Sequence, residues 1–178
     1  GISLVNLFRK AERWGNALLD LAFPSSCATC GGLVEESPLE HVCERCFSRI
    51  HVVEDPRCFT CGYPFFGEAE SHGECQHCSC LSPQFSRGWS VALFRGPVCD
   101  LIYALKYSNA YWAVDDLGRI AEYAEGLGDY LVEAILVPVP LHPRKERERG
   151  YNQSALIAES IAGRFEGVRL RFLLERIV

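Results

Sequence analysis

Four Cys-x-x-Cys pairs constrain the fold of this 178-residue chain more than any other feature of its sequence. Two intervening residues allow both thiolates of a pair to reach one metal ion, and two pairs complete a tetrahedral site. Because four thiolates leave no open coordination position, the sequence predicts two zinc ions with a structural role. The eight predicted ligands are Cys27, Cys30, Cys43, Cys46, Cys58, Cys61, Cys75 and Cys78.

The spacing of the pairs leaves open how they combine. Consecutive pairing, first with second and third with fourth, is favoured, but crossed pairing of first with third and second with fourth fits almost as well. Cys80 could replace Cys78, and His41, His72 and His77 are near enough in sequence to compete as ligands. Disulfides, redox chemistry and an iron–sulfur cluster are the alternatives to zinc.

The composition is that of a globular protein, with 48% hydrophobic and 23% charged residues. No apolar run is long enough to cross a membrane. Charged residues at positions 9, 10, 12 and 13 interrupt the N-terminal apolar positions, so no secretory signal is predicted. Both observations favour the cytoplasm, where cysteines bind metal rather than form disulfides. Methionine is absent, so we expect a processed or trimmed chain.

Apolar periodicity outside the cysteine-rich region predicts an α/β fold with a parallel sheet. An amphipathic helix is expected over 3–22, with a membrane-surface or partner-binding helix as the alternative. Further helices are expected over 97–107, 111–124 and 153–165, and strands over 89–94, 131–139 and 168–174.

Two features of the predicted helices have candidate chemistry. Asp115 and Asp116 are adjacent carboxylates, but neighbouring residues on a helix point about 100° apart, so we expect a solvated face rather than a metal site. Cys99 is expected to be a small buried residue.

A run of cations follows the predicted strand over 131–139, and we call residues 141–153 the basic segment. Its cations are Arg144, Lys145, Arg147 and Arg149. Prolines at 138, 140 and 143 limit its freedom, and arginine forks bind phosphate oxygens in pairs. The strand–loop–helix order predicts a phosphate-binding loop. The alternative is a solvated loop in which Glu146 and Glu148 pair with the arginines.

Although the chain has a formal net charge of −5, residues 137–178 carry eight Lys or Arg against five Glu, which favours an anionic ligand there.

Several motifs resemble the ComF family of competence-related proteins: LLDLAFPSSCATCGG, the Cys-x-x-Cys array, ALKYSNAYW and VPVPLHPRKERERGYNQS. The resemblance runs from residue 18 to residue 165 in the same order. It implies an N-terminal helix (1–26), a double zinc ribbon (27–82) and the N-terminal portion of a type I phosphoribosyltransferase-like domain (83–178).

The resemblance also implies a ligand, phosphoribosyl pyrophosphate (PRPP), with Mg²⁺ accompanying it in the full-length protein. The residues implied to bind its pyrophosphate or to adjoin that site are Leu141, His142, Pro143, Arg144, Arg147, Arg149, Gly150, Tyr151, Asn152 and Gln153. Lys106 belongs to the matching LKY motif and is expected to face the same cleft, with no chemistry assigned to it. No catalytic residue is identified.

The chain departs from the type I phosphoribosyltransferase pattern in one respect. Such enzymes carry a later pair of acidic residues followed by a Thr/Gly-rich loop, which hold the ribose and the Mg²⁺-bound ligand, and the chain has no such segment. We therefore expect a C-terminally incomplete domain that binds a phosphate ligand but does not catalyse transfer by itself.

The resemblance implies a role in DNA uptake and natural transformation in the bacterial cytoplasm, with peripheral association with the inner membrane as an alternative. A different function is single-stranded DNA binding without transferase activity, in which aromatic residues near the cysteines stack on bases. These aromatics are Phe59, Tyr63, Phe65 and Phe66. A third is docking of the ribbons to a helicase-like partner.

Overall fold

The computed structural model describes residues 25–66, 73–81 and 83–177, so the helix predicted over 3–22 lies outside the described residues. In chain order the elements are α1 (Glu44–Phe47), α2 (Gln76–Leu81), α3 (Pro97–Tyr107), α4 (Ala113–Glu122), α5 (Leu127–Tyr130), β1 (Ile135–Leu136), α6 (Pro143–Arg149), α7 (Gln153–Ala162) and β2 (Arg169–Leu170). The first two helices belong to the cysteine-rich region, and the other elements form a mixed α/β unit.

Helix α4 is central to the α/β unit, because it contacts both α3 and α7. Helix α3 begins at Pro97, which suits a first turn since proline lacks the N–H that would be unpaired there. Leu101 and Leu105 of α3 are fully buried in one hydrophobic cluster with Ile120 of α4. Burying a leucine side chain of this kind stabilises a fold by about 2 kcal/mol.

Strands β1 and β2 pair in parallel, with Leu136 opposite Leu170, and the connection between them contains α6 and α7. The fold is therefore a helix–strand mixture with a small parallel sheet, as the sequence predicts at this level. The phosphoribosyltransferase-like architecture stays a prediction.

The prediction of a strand over 131–139 is wrong for most of its length. Leu131 instead caps the C-terminus of α5, donating its N–H to the carbonyl of Leu127 at 3.0 Å, and Glu133 has a left-handed φ of 54°. Pro138 and Pro140 follow, and proline has no N–H to donate to a strand partner. Only Ile135–Leu136 is left as strand.

The other two predicted strands are also reduced. Residues 89–94 make an isolated antiparallel bridge between Ala92 and Val52 rather than a strand. Residues 168–174 are strand only at Arg169–Leu170, because in the described part of the chain β1 is the single strand with which this segment pairs.

The basic segment is not the loop that the sequence predicts, because Pro143–Arg149 is helical. Pro143 occupies the first turn, and His142 caps the helix by accepting a hydrogen bond at Nδ1 from the N–H of Arg144 at 3.2 Å. Gly150 ends the helix in a left-handed conformation with φ of 81°. Alternating Arg, Lys and Glu are strong helix formers that can pair at i,i+4, which explains why helix is preferred here.

Each half of the cysteine-rich region is closed by one antiparallel bridge, Ser26 with Leu33 and Arg57 with Pro64. Gly62 follows Cys61 with φ of 72°, and a Cβ there would lie 2.8 Å from the backbone N of Ser90. This turn therefore requires glycine both for its backbone conformation and for the space it leaves.

The first half of the cysteine-rich region packs directly on the α/β unit. Leu39 and Val42 are buried in the same hydrophobic cluster as Leu101, Leu105 and Ile120. This first half of the cysteine-rich region, which we call the first ribbon, thus shares one hydrophobic core with α3 and α4.

Candidate metal centres and basic segment

The structure gathers the eight paired cysteines into two clusters. In each cluster the four sulfur atoms lie within 4.8 Å of one another: Cys27, Cys30, Cys43 and Cys46 in the first, and Cys58, Cys61, Cys75 and Cys78 in the second. This arrangement follows the consecutive pairing that the sequence favours, and it does not join the first Cys-x-x-Cys pair with the third.

Sulfur–sulfur distances test whether a tetrahedral ion fits the clusters. Zn–S bonds of about 2.3 Å in a tetrahedron place the sulfurs about 3.8 Å apart. The observed distances are 3.7 Å between Cys30 and Cys43, 3.9 Å between Cys58 and Cys78, and 3.6 Å between Cys61 and Cys75. The two four-cysteine clusters therefore suit two zinc ions.

Backbone donors prepare individual thiols for metal binding. A hydrogen bond from the backbone of Gly32 is the main cause that lowers the pKa of Cys30 to about 6. Burial would raise the pKa of Cys58, but backbone donors at Cys61, Cys75 and Thr60 lower it to about 6. Burial and the neighbouring thiols raise the pKa of Cys46 to about 12. Four thiolates in one cluster would repel one another, and a bound dication would offset that repulsion. Metal binding and full ionisation of the four cysteines are therefore coupled.

The competing ligands lie outside these clusters, as far as the structure describes them. Cys80 and His77 are exposed on α2 and belong to neither cluster. The ring of His41 contacts Trp112, with 4.4 Å between centroids. His72 lies outside the described residues. Cys99 is half-buried on α3 rather than fully buried as expected.

Asp116 has a structural role that the sequence does not reveal. The expectation of a solvated Asp115–Asp116 pair is wrong for Asp116, which has 0% exposure. Its two carboxylate oxygens accept hydrogen bonds from the backbone N–H groups of Glu40 and His41, at 2.8 and 2.9 Å. Through these two hydrogen bonds, Asp116 links α4 to the first ribbon.

Asp115, by contrast, is partly exposed and pairs with arginines. It accepts hydrogen bonds from Arg119, at 2.8 Å, and from Arg164 of the segment after α7. Burial would raise the pKa of Asp115, but these two guanidinium groups hold it below its usual value. The pair of carboxylates thus stabilises packing rather than a metal.

The cations at the start of α6 are exposed and partly paired. The side chain of Arg144 is 78% exposed and lies 3.4 Å from Glu148, which also accepts a hydrogen bond from Lys145 at 2.9 Å. The Lys145 ammonium, followed by Arg144, lowers the pKa of Glu148. The predicted alternative of Glu–Arg pairing is thus present for Glu148.

The C-terminal part of the basic segment is a contact network. Arg149 donates to the side-chain oxygen of Gln153 and lies 5.9 Å from the ring of Tyr107. Asn152 donates to the carbonyl of Val139 at 2.9 Å. Tyr151 is buried and donates to the carbonyl of Leu105, and burial raises its pKa. Tyr151 therefore serves packing.

The remaining residues of the predicted phosphate site lie at different places in the structure. Leu141, just before α6, and Pro143, its first residue, are half-buried, while Arg147 is exposed. The Lys106 ammonium lies 6.0 Å from the ring centre of Phe94. The structure thus gathers Arg149, Asn152 and Gln153 around the start of α7 and presents the other cations on α6.

One ribbon aromatic contributes to packing, and three are exposed. Phe65 packs against the buried cysteines of the second cluster. Phe59, Tyr63 and Phe66 are 59%, 50% and 65% exposed, and the rings of Tyr63 and Phe66 meet edge to face at 6.2 Å.

The two four-cysteine clusters lie in a turn-rich region typical of zinc ribbons, and residues 18–79 match the family model described as a double zinc ribbon domain. The chain is similar to Competence protein F of Haemophilus influenzae, with 24% identity over 149 residues that cover 76% of this chain and 65% of that protein. It is also similar to DNA utilization protein YhgH of Escherichia coli strain K12, with 29% identity over 125 residues that cover 68% of this chain and 53% of that protein.

These similarities confirm the resemblance to competence proteins that the sequence motifs indicate. The chain spans between half and two thirds of the length of these curated relatives. No solved structure matches the chain. Among the described residues, no helix combines the length and the apolar character that crossing a membrane requires.

Proposed function

We propose that this protein acts in the uptake or use of DNA and that its basic segment binds a phosphate-bearing ligand of the PRPP class. Support for the first half comes from the names of the relatives, Competence protein F and DNA utilization protein. Support for the second comes from the position of the segment, which follows the carboxyl end of β1 in a parallel pair. Open α/β sheets bind ligands at this end of their strands.

The observation that carries the proposal is the tie that Asn152 makes across the basic segment. Its Nδ2 donates to the carbonyl of Val139, and its Oδ1 accepts from the N–H of Ser154, both at 2.9 Å. The chain before α6 and the start of α7 are thereby held together. A segment constrained in this way loses less conformational entropy when a ligand binds.

The charges on α6 are available to such a ligand. Arg147 is exposed and has no acidic partner within 25–66, 73–81 and 83–177. The Arg144–Glu148 pair is exposed, and pairs of this kind contribute at most about 1 kcal/mol. A phosphate that accepts paired hydrogen bonds from a guanidinium group would replace it favourably.

PRPP is the ligand that the resemblance implies, and Mg²⁺ would arrive as its phosphate complex rather than in a protein-made cage. The proposal concerns binding, and transferase turnover by these residues alone is not part of it.

Titration calorimetry with PRPP and Mg²⁺ tests the ligand directly. We expect the double variant Arg144→Gln, Arg147→Gln to bind at least about tenfold more weakly than wild type, because each lost charged hydrogen bond costs about 1.5–3 kcal/mol. The matched control is Arg169→Gln, Arg176→Gln, which removes the same charge from exposed positions outside the basic segment. Equal affinities for the two double variants, or no binding by wild type, would contradict a phosphate site on α6.

A second candidate function is single-stranded DNA binding by the ribbons, favoured by the exposure of Phe59, Tyr63 and Phe66. Docking to a helicase-like partner stays a prediction of the resemblance. The DNA candidate predicts that Tyr63→Ala, Phe66→Ala weakens oligonucleotide binding and leaves PRPP binding unchanged.

A further inference from the structure

A row of exposed aromatic rings lies on the outer side of α3, and we call Phe94, Tyr103 and Tyr107 the aromatic stripe. Their exposed fractions are 56%, 48% and 74%. Ring centroids are 5.7 Å apart between Phe94 and Tyr103 and 5.9 Å apart between Tyr103 and Tyr107. The three rings thus form a continuous surface rather than scattered contacts.

Packing among the described residues does not account for the aromatic stripe. Tyr103 and Tyr107 are four residues apart on α3 and therefore share a face. The face of α3 that packs in the core carries Leu101 and Leu105, each with 0% exposure. A contiguous apolar surface that the fold leaves uncovered marks a site of interaction.

Cations border the stripe at both ends. The Lys106 ammonium lies 6.0 Å from the ring centre of Phe94, and the Arg149 guanidinium lies 5.9 Å from that of Tyr107. Arg149 is also the last residue of α6, so the stripe adjoins the exposed cations of the basic segment. Asp100 is the single acidic residue of α3, and it lies one turn before Tyr103.

Aromatic rings bordered by cations fit one class of partner. Bases of single-stranded nucleic acid stack on exposed rings, while Lys and Arg bind the phosphates. A duplex would not offer this contact, because its base faces are already stacked on one another. The positive rim also suits a polyanion.

We propose that the aromatic stripe binds single-stranded DNA, with Lys106 and Arg149 holding the phosphates on either side. This inference rests on the proposed role in DNA use and specifies which surface performs it. The DNA contact would then lie on Phe94 and α3, as the alternative to the exposed ribbon aromatics Phe59, Tyr63 and Phe66.

Fluorescence anisotropy with a labelled oligothymidylate, using the zinc-loaded chain, tests the proposal. We expect Tyr103→Ala and Tyr107→Ala each to weaken binding about 5- to 100-fold, the usual loss for one stacked base. Tyr107→Phe should stay within about twofold of wild type, because it keeps the ring. Tyr63→Ala, Phe66→Ala tests the competing ribbon surface. Phe172→Ala is the matched control, because this ring is 71% exposed and belongs to neither surface, and it should bind as wild type does.

The binding results distinguish the aromatic stripe from the ribbon aromatics as the DNA-binding surface. Unchanged binding by both stripe variants, or a loss confined to the ribbon variant, would overturn the stripe and leave the DNA role intact. Stripe-dependent binding of an equally long duplex would overturn the stacking mechanism. A wild-type chain without affinity for oligothymidylate would overturn the DNA role as well, while PRPP titration judges the phosphate site independently. Circular dichroism and a zinc count of two confirm that each variant is folded.

Discussion

Asp116 joins two parts of the molecule through its carboxylate alone. Both of its oxygens accept backbone N–H groups of the first ribbon, and its side chain has no exposure to solvent. A buried carboxylate in this position is stabilised only while both donors are present. The first ribbon can therefore shift away from α4 only by leaving this charge unpaired.

We expect Asp116→Asn to lower the free energy of unfolding by about 1–3 kcal/mol, because the amide nitrogen cannot accept a hydrogen bond from one of the two backbone donors. Urea unfolding followed by circular dichroism measures the change. Asp129→Asn is the matched control, since Asp129 is exposed on α5. A loss for Asp116→Asn no larger than for Asp129→Asn would show that the two hydrogen bonds do not stabilise the fold.

At the scale of elements, the junction between α6 and α7 depends on Asn152. Its side chain caps α7 and also reaches back to Val139. These two roles can be separated, because serine retains the capping oxygen but is too short to replace the amide donor.

We expect Asn152→Ala to lower the free energy of unfolding by about 1 kcal/mol through loss of the helix cap. Asn152→Ser should restore most of that stability and yet bind PRPP more weakly than wild type, because the tie to Val139 is lost in both variants. Urea unfolding and calorimetry measure the two properties. Wild-type PRPP affinity in both variants would show that ligand binding does not need the tie.

The elements also show which features are readable from sequence. Helices expected over 97–107, 111–124 and 153–165 occur as Pro97–Tyr107, Ala113–Glu122 and Gln153–Ala162, because the spacing of apolar residues along one helix is a local property. The strands were less predictable, since a strand depends on a partner distant in sequence. The run over 131–139 illustrates this, because a buried apolar stretch suits helix ends and turns as well as strands.

The candidate sites, like the elements, have some features that the sequence predicts and others that it does not. The cysteine clusters follow from the Cys-x-x-Cys spacing, which favours their consecutive pairing but does not exclude the crossed one. The burial of Asp116 could not be predicted, because its donors lie 76 and 75 residues away. Helix α6 had a local signal in Arg144, Lys145 and Glu148, whose spacing suits helical ion pairs. Proline-rich flanks favoured the loop interpretation instead.

In the whole molecule the two metal centres have unequal surroundings. Cys27 and Cys46 of the first cluster are buried in the core that also contains Leu101 and Leu105. The buried cysteines of the second cluster form a separate small cluster with Phe65 as its aromatic neighbour. The first centre should therefore stabilise the helices, whereas the second should stabilise mainly its own ribbon.

We expect Cys30→Ser to reduce bound zinc from two ions to one and to speed hydrogen exchange throughout α3 and α4. Cys61→Ser should also lose one zinc ion but speed exchange mainly in residues 58–66 and 73–78. Metal analysis and hydrogen-exchange mass spectrometry give the two readouts. Equal exchange in α3 for both variants would contradict unequal coupling.

The contact of Asp116 with backbone groups has a consequence for sequence divergence. The carboxylate accepts hydrogen bonds from N–H groups that every residue except proline possesses, so it places no demand on the side chain at position 40. Position 41 differs, because the ring Nδ1 of His41 lies 3.3 Å from Oδ2 of Asp116. As far as Asp116 is concerned, homologues can then vary at position 40, short of proline, while retaining aspartate at the position of Asp116. For the pair formed by Asp116 and position 40, an aligned set of sequences would show no covariation to reveal the contact.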